Sequence, residues 1–358
     1  MTTLRDLHKK YSRWIPIVFF ALGFVFDALI LTRIDELKTI LQQAIYIVIS
    51  AILIGIELLE LTREIHIPTW FAKPWKYREA VLHFLLGTLL NSYTIFYFKS
   101  ASSLTSFSFI LILITLLILN EFKHFGKSQT QVHMAFWSLC LVSYFASLAP
   151  ILIGSLGVLP FLAGMTGATL VFSLYYRIVK GTLNSAFLRS HLLFPYFGIM
   201  GVFIVLYLVH AIPPVPLSVR YLGIYHDVAK GNGSYILTYT RPKWKFWQHG
   251  DQTFLARPGD SLFCFARVFS PTRFSAKLQV QWMYYDEGRG WLPSDTLPMP
   301  ITGGREEGFR GFTKKSNFQP GKWQVRVETL DDREIGRIDF EVIRDDQTDL
   351  REVETTTQ

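Results

Sequence analysis

The pattern of apolar and polar residues changes near residue 212. Before that point, apolar runs of about 20 residues alternate with short polar segments, and a helix needs about 20 residues to cross roughly 30 Å of hydrocarbon. The runs predict seven membrane-spanning helices, at residues 14–31, 43–61, 80–98, 104–120, 132–150, 156–179 and 191–212. Gly154, Gly157 and Pro160 mark the break between the fifth and sixth, which no charge separates.

From residue 213 onward, apolar and polar residues alternate with a period of two. The alternation is clearest at residues 278–284, 323–328 and 338–342, and it is typical of strands with one buried face. Further strands are predicted at residues 234–240, 261–269 and 309–314. We therefore predict an α-helical membrane bundle at residues 1–213 and an all-β, Ig-like antiparallel sandwich at 214–344, followed by a disordered acidic tail at 345–358.

The composition agrees with a membrane protein. Half of the 358 residues are hydrophobic and the mean hydropathy is +0.27, which excludes a purely soluble or disordered chain. The only cysteines are Cys140 and Cys264, so neither a disulfide framework nor a cysteine-based metal site is available. We predict no cofactor.

The distribution of Lys and Arg predicts the orientation in the bilayer. With the N-terminus inside, the inner segments of the membrane half hold thirteen Lys and Arg, whereas the outer loops hold three. Because cytoplasmic loops retain positive charge, we expect a multi-pass protein of the bacterial inner membrane with a cytoplasmic N-terminus and a periplasmic sandwich. The same rule accounts for most of the net charge of +8, so no nucleic-acid partner is predicted.

The second half also carries a family resemblance. Residues 259–342 include the segments 259–268, 280–286, 311–315, 320–330 and 335–342, whose order and spacing resemble the bacterial domain of unknown function 2914. The membrane half is similar to the helices that accompany this domain in some proteobacterial proteins. The resemblance implies an envelope protein with an exported β domain, and it supplies neither an activity nor catalytic residues.

A few ionisable residues lie inside the predicted spans. Asp27 lies deep in the first span, where a carboxylate either serves a proton or ion pathway or is neutralised at a helix contact. Glu57 and Glu60 share one face of the second span, near its cytoplasmic end, and His83 lies near that end of the third. Glu57 and His83 either form a titrating pair or extend toward the interface with their basic neighbours.

Two clusters in the β region combine cations with aromatic rings. The first contains Trp244, Lys245 and Trp247, which either rest on lipid headgroups or belong to a strand that packs inward. The second contains Trp291, Arg305, Arg310, Lys314 and Lys315. These residues either hold an anionic or sugar ligand or are solvated cations that protect a strand edge from aggregation.

Motifs of catalysis are missing from the sequence. It contains no G-x-S-x-G, no H-E-x-x-H, no phosphate-binding loop and no dinucleotide fingerprint, so an enzyme is not the expected class. We predict a membrane protein whose sandwich binds an envelope component, either a glycan or a partner protein. The alternative is a transporter or transducing unit that uses Asp27, Glu57 and His83, with the sandwich as its sensor or gate.

Overall fold

The computed structural model describes residues 34–358, apart from 71, 103, 122–128, 182, 232, 241–248, 272–274, 303–307 and 348. Its first half is helical within these bounds. The helices are α1 (Leu37–Leu61), α2 (Ala72–Trp75), α3 (Arg78–Ser100), α4 (Leu104–Glu121), α5 (Gln129–Ile153), α6 (Val158–Lys180) and α7 (Ser185–Leu208). The predicted first span, residues 14–31, lies outside the described residues.

Five of the described helices, α1, α3, α5, α6 and α7, are long and apolar enough to cross a membrane. Helix α4 contains a shorter apolar stretch, Ser106–Thr115. On α1, exposed apolar residues follow one stripe at helical spacing, namely Leu41, Ile45, Val48 and Ile52. An apolar stripe of this kind is unfavourable in water and suits contact with lipid. The helices therefore indicate a membrane protein, as the hydrophobic pattern predicted.

The break between the fifth and sixth predicted spans is confirmed. Helix α5 ends at Ile153 and α6 begins at Val158. Gly154 and Gly157 between them adopt the left-handed backbone region, with φ values of 77° and 123°, which glycine enters without steric cost. Pro160 lies in the first turn of α6, where its missing N–H is tolerated.

The second half is built from twelve strands within the described residues. They are β1 (Ser218–Tyr225), β2 (Asp227–Gly231), β3 (Ser234–Tyr239), β4 (His249–Gly250), β5 (Thr253–Ala256), β6 (Leu262–Phe269), β7 (Ser275–Asp286), β8 (Gly290–Thr302), β9 (Phe309–Lys315), β10 (Gly321–Thr329), β11 (Glu334–Arg344) and β12 (Glu354–Thr357). All six segments predicted as strands lie on these elements.

Two sheets form a sandwich. The first has the strand order β4-β1-β6-β9 and the second β5-β11-β10-β7-β8. One apolar core joins them, in which Cys264 and Val268 of the first sheet cluster with Trp282, Trp323 and Phe340 of the second. The β sandwich is thus confirmed, with one correction to the antiparallel prediction. The short strands β4 and β5 pair in parallel with β1 and β11, respectively, which hydrophobic alternation alone does not reveal.

A third, three-stranded sheet, ordered β12-β3-β2, covers part of the first sheet on the side away from the sandwich core. Val228 and Leu237 of this sheet pack with Tyr221, Tyr225 and Phe265 of the first sheet. This second small core explains why Phe265 is fully buried although it points away from the main one.

The prediction of a disordered tail at residues 345–358 is wrong at its end. Strand β12 pairs antiparallel with β3, and Gln358 and Tyr235 exchange backbone hydrogen bonds of 2.8 and 2.9 Å. The polar sequence Glu-Thr-Thr-Thr has little to bury, but its β-branched threonines favour an extended backbone. Strand β12 is held by backbone hydrogen bonds to the edge of β3, and the amino-acid composition does not reveal such pairing.

The chain divides into two compact units. One comprises Met1–Phe96, Ile112–Tyr144 and Phe172–Ile199. The other comprises Tyr97–Leu111, Phe145–Val171 and Met200–Gln358, so it contains all the strands together with adjoining helix ends. The β region thus forms one unit with the helix ends beside it.

Candidate functional site

A surface of cations and aromatic rings that could bind a ligand is centred on strand β9. Arg310, Phe312 and Lys314 alternate with inward-pointing residues, so all three lie on the outer side of the first sheet. Directly opposite them on β6 are Arg267, Phe265 and Phe263, respectively. Strand pairing therefore brings cations and rings together on one face.

Aromatic rings and cations interleave across this surface. The Tyr235 ring centroid lies 6.2 Å from that of Phe312, and the Phe263 centroid lies 6.1 Å from it. Arg310 and Lys230 each lie 5.9 Å from the Tyr235 ring, and Lys314 lies 5.5 Å from the Phe263 ring. We call this set the cationic face: Lys230, Tyr235, Phe263, Arg310, Phe312 and Lys314.

Two arginines oppose each other at one end of the cationic face. Arg267 and Arg310 are directly paired across β6 and β9, an arrangement in which like charges repel. Arg310 donates a hydrogen bond to the Gly233 carbonyl at 3.1 Å. The Nε atom of Arg267 is buried, and no described residue forms a hydrogen bond with it. An anion at this position would relieve the repulsion, so the electrostatics of the face favour a negatively charged ligand.

Lys315 does not join this surface, contrary to prediction. It follows Lys314 on the strand and points to the opposite side, because successive side chains alternate. Its ammonium group is buried, donates to Ser294 Oγ at 2.9 Å, forms an ion pair with Asp295 and lies over the Trp323 ring. Lys315 is thus a structural cation that joins β9 to β8.

Trp291 also lies elsewhere. It is on β8, in the second sheet, and its ring packs edge-on against Tyr285 with 5.1 Å between the centroids. The rings that accompany Arg310 and Lys314 are Tyr235, Phe263 and Phe312. Arg305 and the first predicted cluster, Trp244, Lys245 and Trp247, lie outside the described residues.

A buried polar network, which no sequence motif predicted, joins the C-terminal segment to the sandwich. His226 Nδ1 lies 2.9 Å from an Arg351 guanidinium nitrogen, and His226 Nε2 lies 3.5 Å from Asp251 Oδ2. Arg351 also donates to Asp260 at 2.8 Å. Because a guanidinium only donates hydrogen bonds, Nδ1 must accept, and the His226 ring is therefore neutral.

Burial shifts both ionisable partners in this network toward their neutral forms. Burial raises the pKa of Asp251 to about 7, and the hydrogen bonds from Thr240 offset only part of that rise. Burial, and after it the cation of Arg351, lowers the pKa of His226 to about 4. At neutral pH the pair therefore titrates at the carboxyl group rather than at the imidazole.

Arg333 connects the sandwich to the last helix. The backbone of His210, at φ 55°, ends α7 with a Schellman motif, in which Ala211 N donates to Leu206 O at 2.9 Å. Arg333 lies 3.8 Å from the centre of the Tyr207 ring and donates to the carbonyls of Tyr207 and Ile212. A cation at a helix C-terminus is stabilised by the helix dipole, so Arg333 caps α7 from the β10–β11 turn.

Within the helices, the structure gives Glu57 a partner that the sequence did not predict. The Glu57 carboxylate accepts a hydrogen bond from Thr130 Oγ1 at 3.1 Å and lies 3.3 Å from His133 Nδ1, both on α5. Both side chains of the Glu57–His133 pair are almost fully buried. Glu60 accepts a 2.7 Å hydrogen bond from the indole of Trp75. His83 is half-buried on α3, and Asp27 lies outside the described residues.

No group of three or more His, Cys, Asp or Glu side chains within the described part of the chain is arranged to hold a metal ion. Cys140 and Cys264 are both free thiols in buried surroundings. Burial raises the pKa of the Cys264 thiol, so this group is a poor nucleophile.

The family model described as a protein of unknown function, DUF2914, matches residues 275–342. This match confirms the resemblance drawn from the sequence, and it covers strands β7 to β11. No curated protein matches the chain.

Several solved structures show a distant likeness. An immunoglobulin-like protein from Pseudomonas aeruginosa shares 10% identity at a TM-score of 0.22, over 36% of this chain and 98% of that one. A beta-glucosidase from Listeria innocua in complex with glucose shares 12% identity at 0.20, over 30% of this chain and 16% of the enzyme. The alkylpurine DNA glycosylase AlkC from Pseudomonas fluorescens, bound to DNA containing an abasic site analog, shares 11% at 0.21, over 75% of this chain and 77% of the enzyme. At these TM-scores the likenesses carry no argument about function.

Proposed function

We propose that this membrane protein presents its extramembrane β sandwich as a binding module for an anionic component of the cell envelope. The proposed location is the bacterial inner membrane, with a cytoplasmic N-terminus and a periplasmic sandwich. The excess of Lys and Arg in the predicted inner segments, thirteen against three, supports this orientation.

The observation that carries the proposal is the cationic face. Three cations contact aromatic rings there, and two arginines are held in direct opposition. A stable module without a ligand would gain from separating those charges, whereas a carboxylate or phosphate placed between them converts repulsion into two charge-assisted contacts.

The rings favour a glycan over a protein partner. Phe312 is 39% exposed, and Tyr235 and Phe263 are partly exposed beside it, so part of each ring is accessible to a ligand. Sugar rings present C–H faces that pack on aromatic rings, while acidic groups on the same polymer reach the cations. An acidic polysaccharide combines both features in one ligand.

The test is binding of the full chain, in nanodiscs, to polygalacturonate and to solubilised peptidoglycan. We expect the double variant Arg310→Gln/Lys314→Gln to bind at least one of these polymers about a hundredfold more weakly, since each of the two lost charge-assisted contacts is worth about 1.5 kcal/mol. Glutamine keeps much of each aliphatic stem, so packing over the rings is largely preserved.

Lys322→Gln is the matched control. Lys322 lies 5.8 Å from the Tyr285 ring and is exposed, as Lys314 is, but its strand belongs to the second sheet. The control should bind as the wild type does. Equal binding by the double variant, or no binding by the wild type, would contradict a glycan ligand, and capture of a protein through the same two residues would assign the face to a partner protein.

A second candidate is a transporter or transducing unit, and the Glu57–His133 pair favours it. A carboxylate and an imidazole buried together in helices that are apolar enough to cross a membrane mark a functional site by default. Here α1 and α5 would carry the activity, with Asp27 and His83 as further candidates, and the sandwich would act as sensor or gate through Arg333.

The two candidates differ in what they require of Glu57. In proteoliposomes under an imposed membrane potential, a proton-coupled transporter should take up protons, and Glu57→Gln should abolish that uptake. Glu60→Gln is the control, because Glu60 lies one turn away and contacts Trp75 instead. If wild-type vesicles and empty vesicles admit protons equally, the Glu57–His133 pair does not conduct protons, and this candidate loses the observation that favours it.

A further inference from the structure

A polar pocket of about 530 Å³ lies where β1 and β11 meet the end of α3. Its polar lining is contributed by separate parts of the chain, namely Lys99, Ser102, Arg220, His249, Arg337 and Asp339. This pocket shares no residue with the cationic face, so it is a second site on the same compact unit.

Local backbone features shape the pocket. The β1–β6 register shifts between Val219 and Tyr221, which makes Arg220 the extra residue of a β-bulge. Bulges redirect side chains and are frequent beside functional sites. Gly336 lets β11 approach β1 closely, because a Cβ added there would lie only 2.7 Å from a Val219 methyl carbon. The bulge therefore sets the direction of the Arg220 side chain, and Gly336 allows the two strands that form the pocket wall to lie close together.

The charges that line the pocket are mainly positive. Among the described residues that line the pocket, three are cations, Lys99, Arg220 and Arg337, and one is a carboxylate, Asp339. Arg337 forms a two-point ion pair with Glu334, which also accepts from Ser102 Oγ at 2.7 Å. Lys99 and Arg220 line the same pocket, so one anion bound there would contact both cations.

His249 adds a polar ring without adding charge. It stacks on Tyr221 with 4.0 Å between the ring centroids, at one side of the pocket. Partial burial and the cation of Arg267 lower the pKa of His249, so the ring is neutral at neutral pH. A neutral imidazole offers one hydrogen-bond donor and one acceptor to a ligand.

The position of the pocket beside the end of a predicted membrane span indicates the kind of anion. Lys99 lies in the last turn of α3, a helix long and apolar enough to cross a membrane. The end of such a helix lies at the level of the lipid headgroups, where cationic side chains meet phosphate. Two cations at this level suit a phosphate group better than a carboxylate on a large soluble polymer.

We propose that this pocket binds a phosphate ester anion, carried by an anionic lipid headgroup or by a small soluble ester, with Lys99 and Arg220 as its main contacts. The proposal does not depend on the glycan function, because the pocket and the cationic face use different residues and different probes.

The experiment uses the purified full chain and two probes. In detergent with equal amounts of phosphatidylglycerol and phosphatidylcholine, native mass spectrometry should show that the wild type retains the anionic lipid preferentially. Calorimetric titration with glycerol 3-phosphate tests the soluble source. The variant Lys99→Gln/Arg220→Gln should weaken binding of whichever probe is the ligand about a hundredfold, because two charge-assisted contacts are lost.

Lys180→Gln is the control for general attraction between basic helix ends and anionic lipid. Lys180 is an exposed cation in the last turn of α6 and does not line the pocket. The charge-preserving Lys99→Arg/Arg220→Lys variant tests whether the chain folds with altered side chains, and it should keep most of the binding.

Each outcome decides between the sources or against both. Loss of lipid preference in the Gln variant, but not in the Lys180 control, assigns the pocket to a lipid phosphate. Cation-dependent binding of glycerol 3-phosphate without lipid preference assigns it to a soluble ester. If neither probe is bound with dependence on Lys99 and Arg220, or if Lys180→Gln has the same effect, the proposal is overturned.

Discussion

Among single residues, the buried polar network of His226, Asp251 and Arg351 should make the stability of the sandwich depend on pH. Asp251 is 1% exposed and accepts hydrogen bonds from both the backbone and the hydroxyl of Thr240. A carboxyl group in such surroundings favours its protonated form, because burial penalises charge more than two hydrogen bonds repay. The stability of the module should therefore depend on the proton held by Asp251.

The sign of this dependence follows from the pKa of Asp251, about 7 in the folded chain against 3.8 for an ordinary Asp. Between these values the folded state holds a proton that the unfolded state has released, so the free energy of unfolding falls as pH rises through this range. His226 acts in the opposite direction between about pH 4 and 6.5, since its folded pKa is lowered. A variant that removes only the carboxyl group isolates the first effect.

We predict that wild type loses stability relative to Asp251→Asn as pH rises from 4 to 7.5, by up to about 4 kcal/mol. Hydrogen exchange of the sandwich strands, compared between the two proteins at each pH, measures the difference while the intrinsic exchange rates cancel. Asp332→Asn controls for loss of a negative charge, because that exposed turn residue has the left-handed backbone that Asn accepts. A difference that stays constant with pH would contradict a protonated Asp251.

At the scale of elements, periodicity predicted much of the architecture. Apolar runs located α1 and α3 to α7, because a lipid-facing helix must be apolar over its whole crossing. Alternation located β7, β10 and β11, because each has one face in the sandwich core. Strand β12 was missed for the same reason, since a polar strand that contributes mainly backbone hydrogen bonds shows no apolar alternation.

The candidate sites were predictable only in part. Alternation along β9 separates Lys314 from Lys315, yet it does not say which of them faces the core. The partners of the cationic face come from β3 and β6, and no local pattern predicts which strands become neighbours. The Glu57–His133 contact joins residues 76 positions apart, so it depends on the packing of α1 against α5 rather than on either helix alone.

At the scale of the whole molecule, the end of α7 carries the link between helices and strands. Arg333 is 5% exposed and contacts the last turn of α7 from the β10–β11 turn, while Glu334 accepts from Ser102 just beyond α3. Both contacts lie within one compact unit. A ligand bound at the strands could therefore affect two helix ends through these contacts. The sensor-or-gate function requires such a connection.

The remaining prediction concerns the side of the membrane on which this unit lies. Seven predicted crossings from a cytoplasmic N-terminus would place the sandwich outside, so we expect a reporter that is active only outside the cytoplasm to work at the C-terminus. The reporter should follow Gln358 through a flexible linker, because fusion at Val342 would remove β12 and interrupt β11. A second fusion at Gly154, between α5 and α6, should report the same side.

If only a cytoplasmic reporter works after Gln358 while the Gly154 fusion works outside, the segment after α5 crosses once rather than twice. The binding module would then face the cytoplasm, and an envelope glycan could not reach the cationic face.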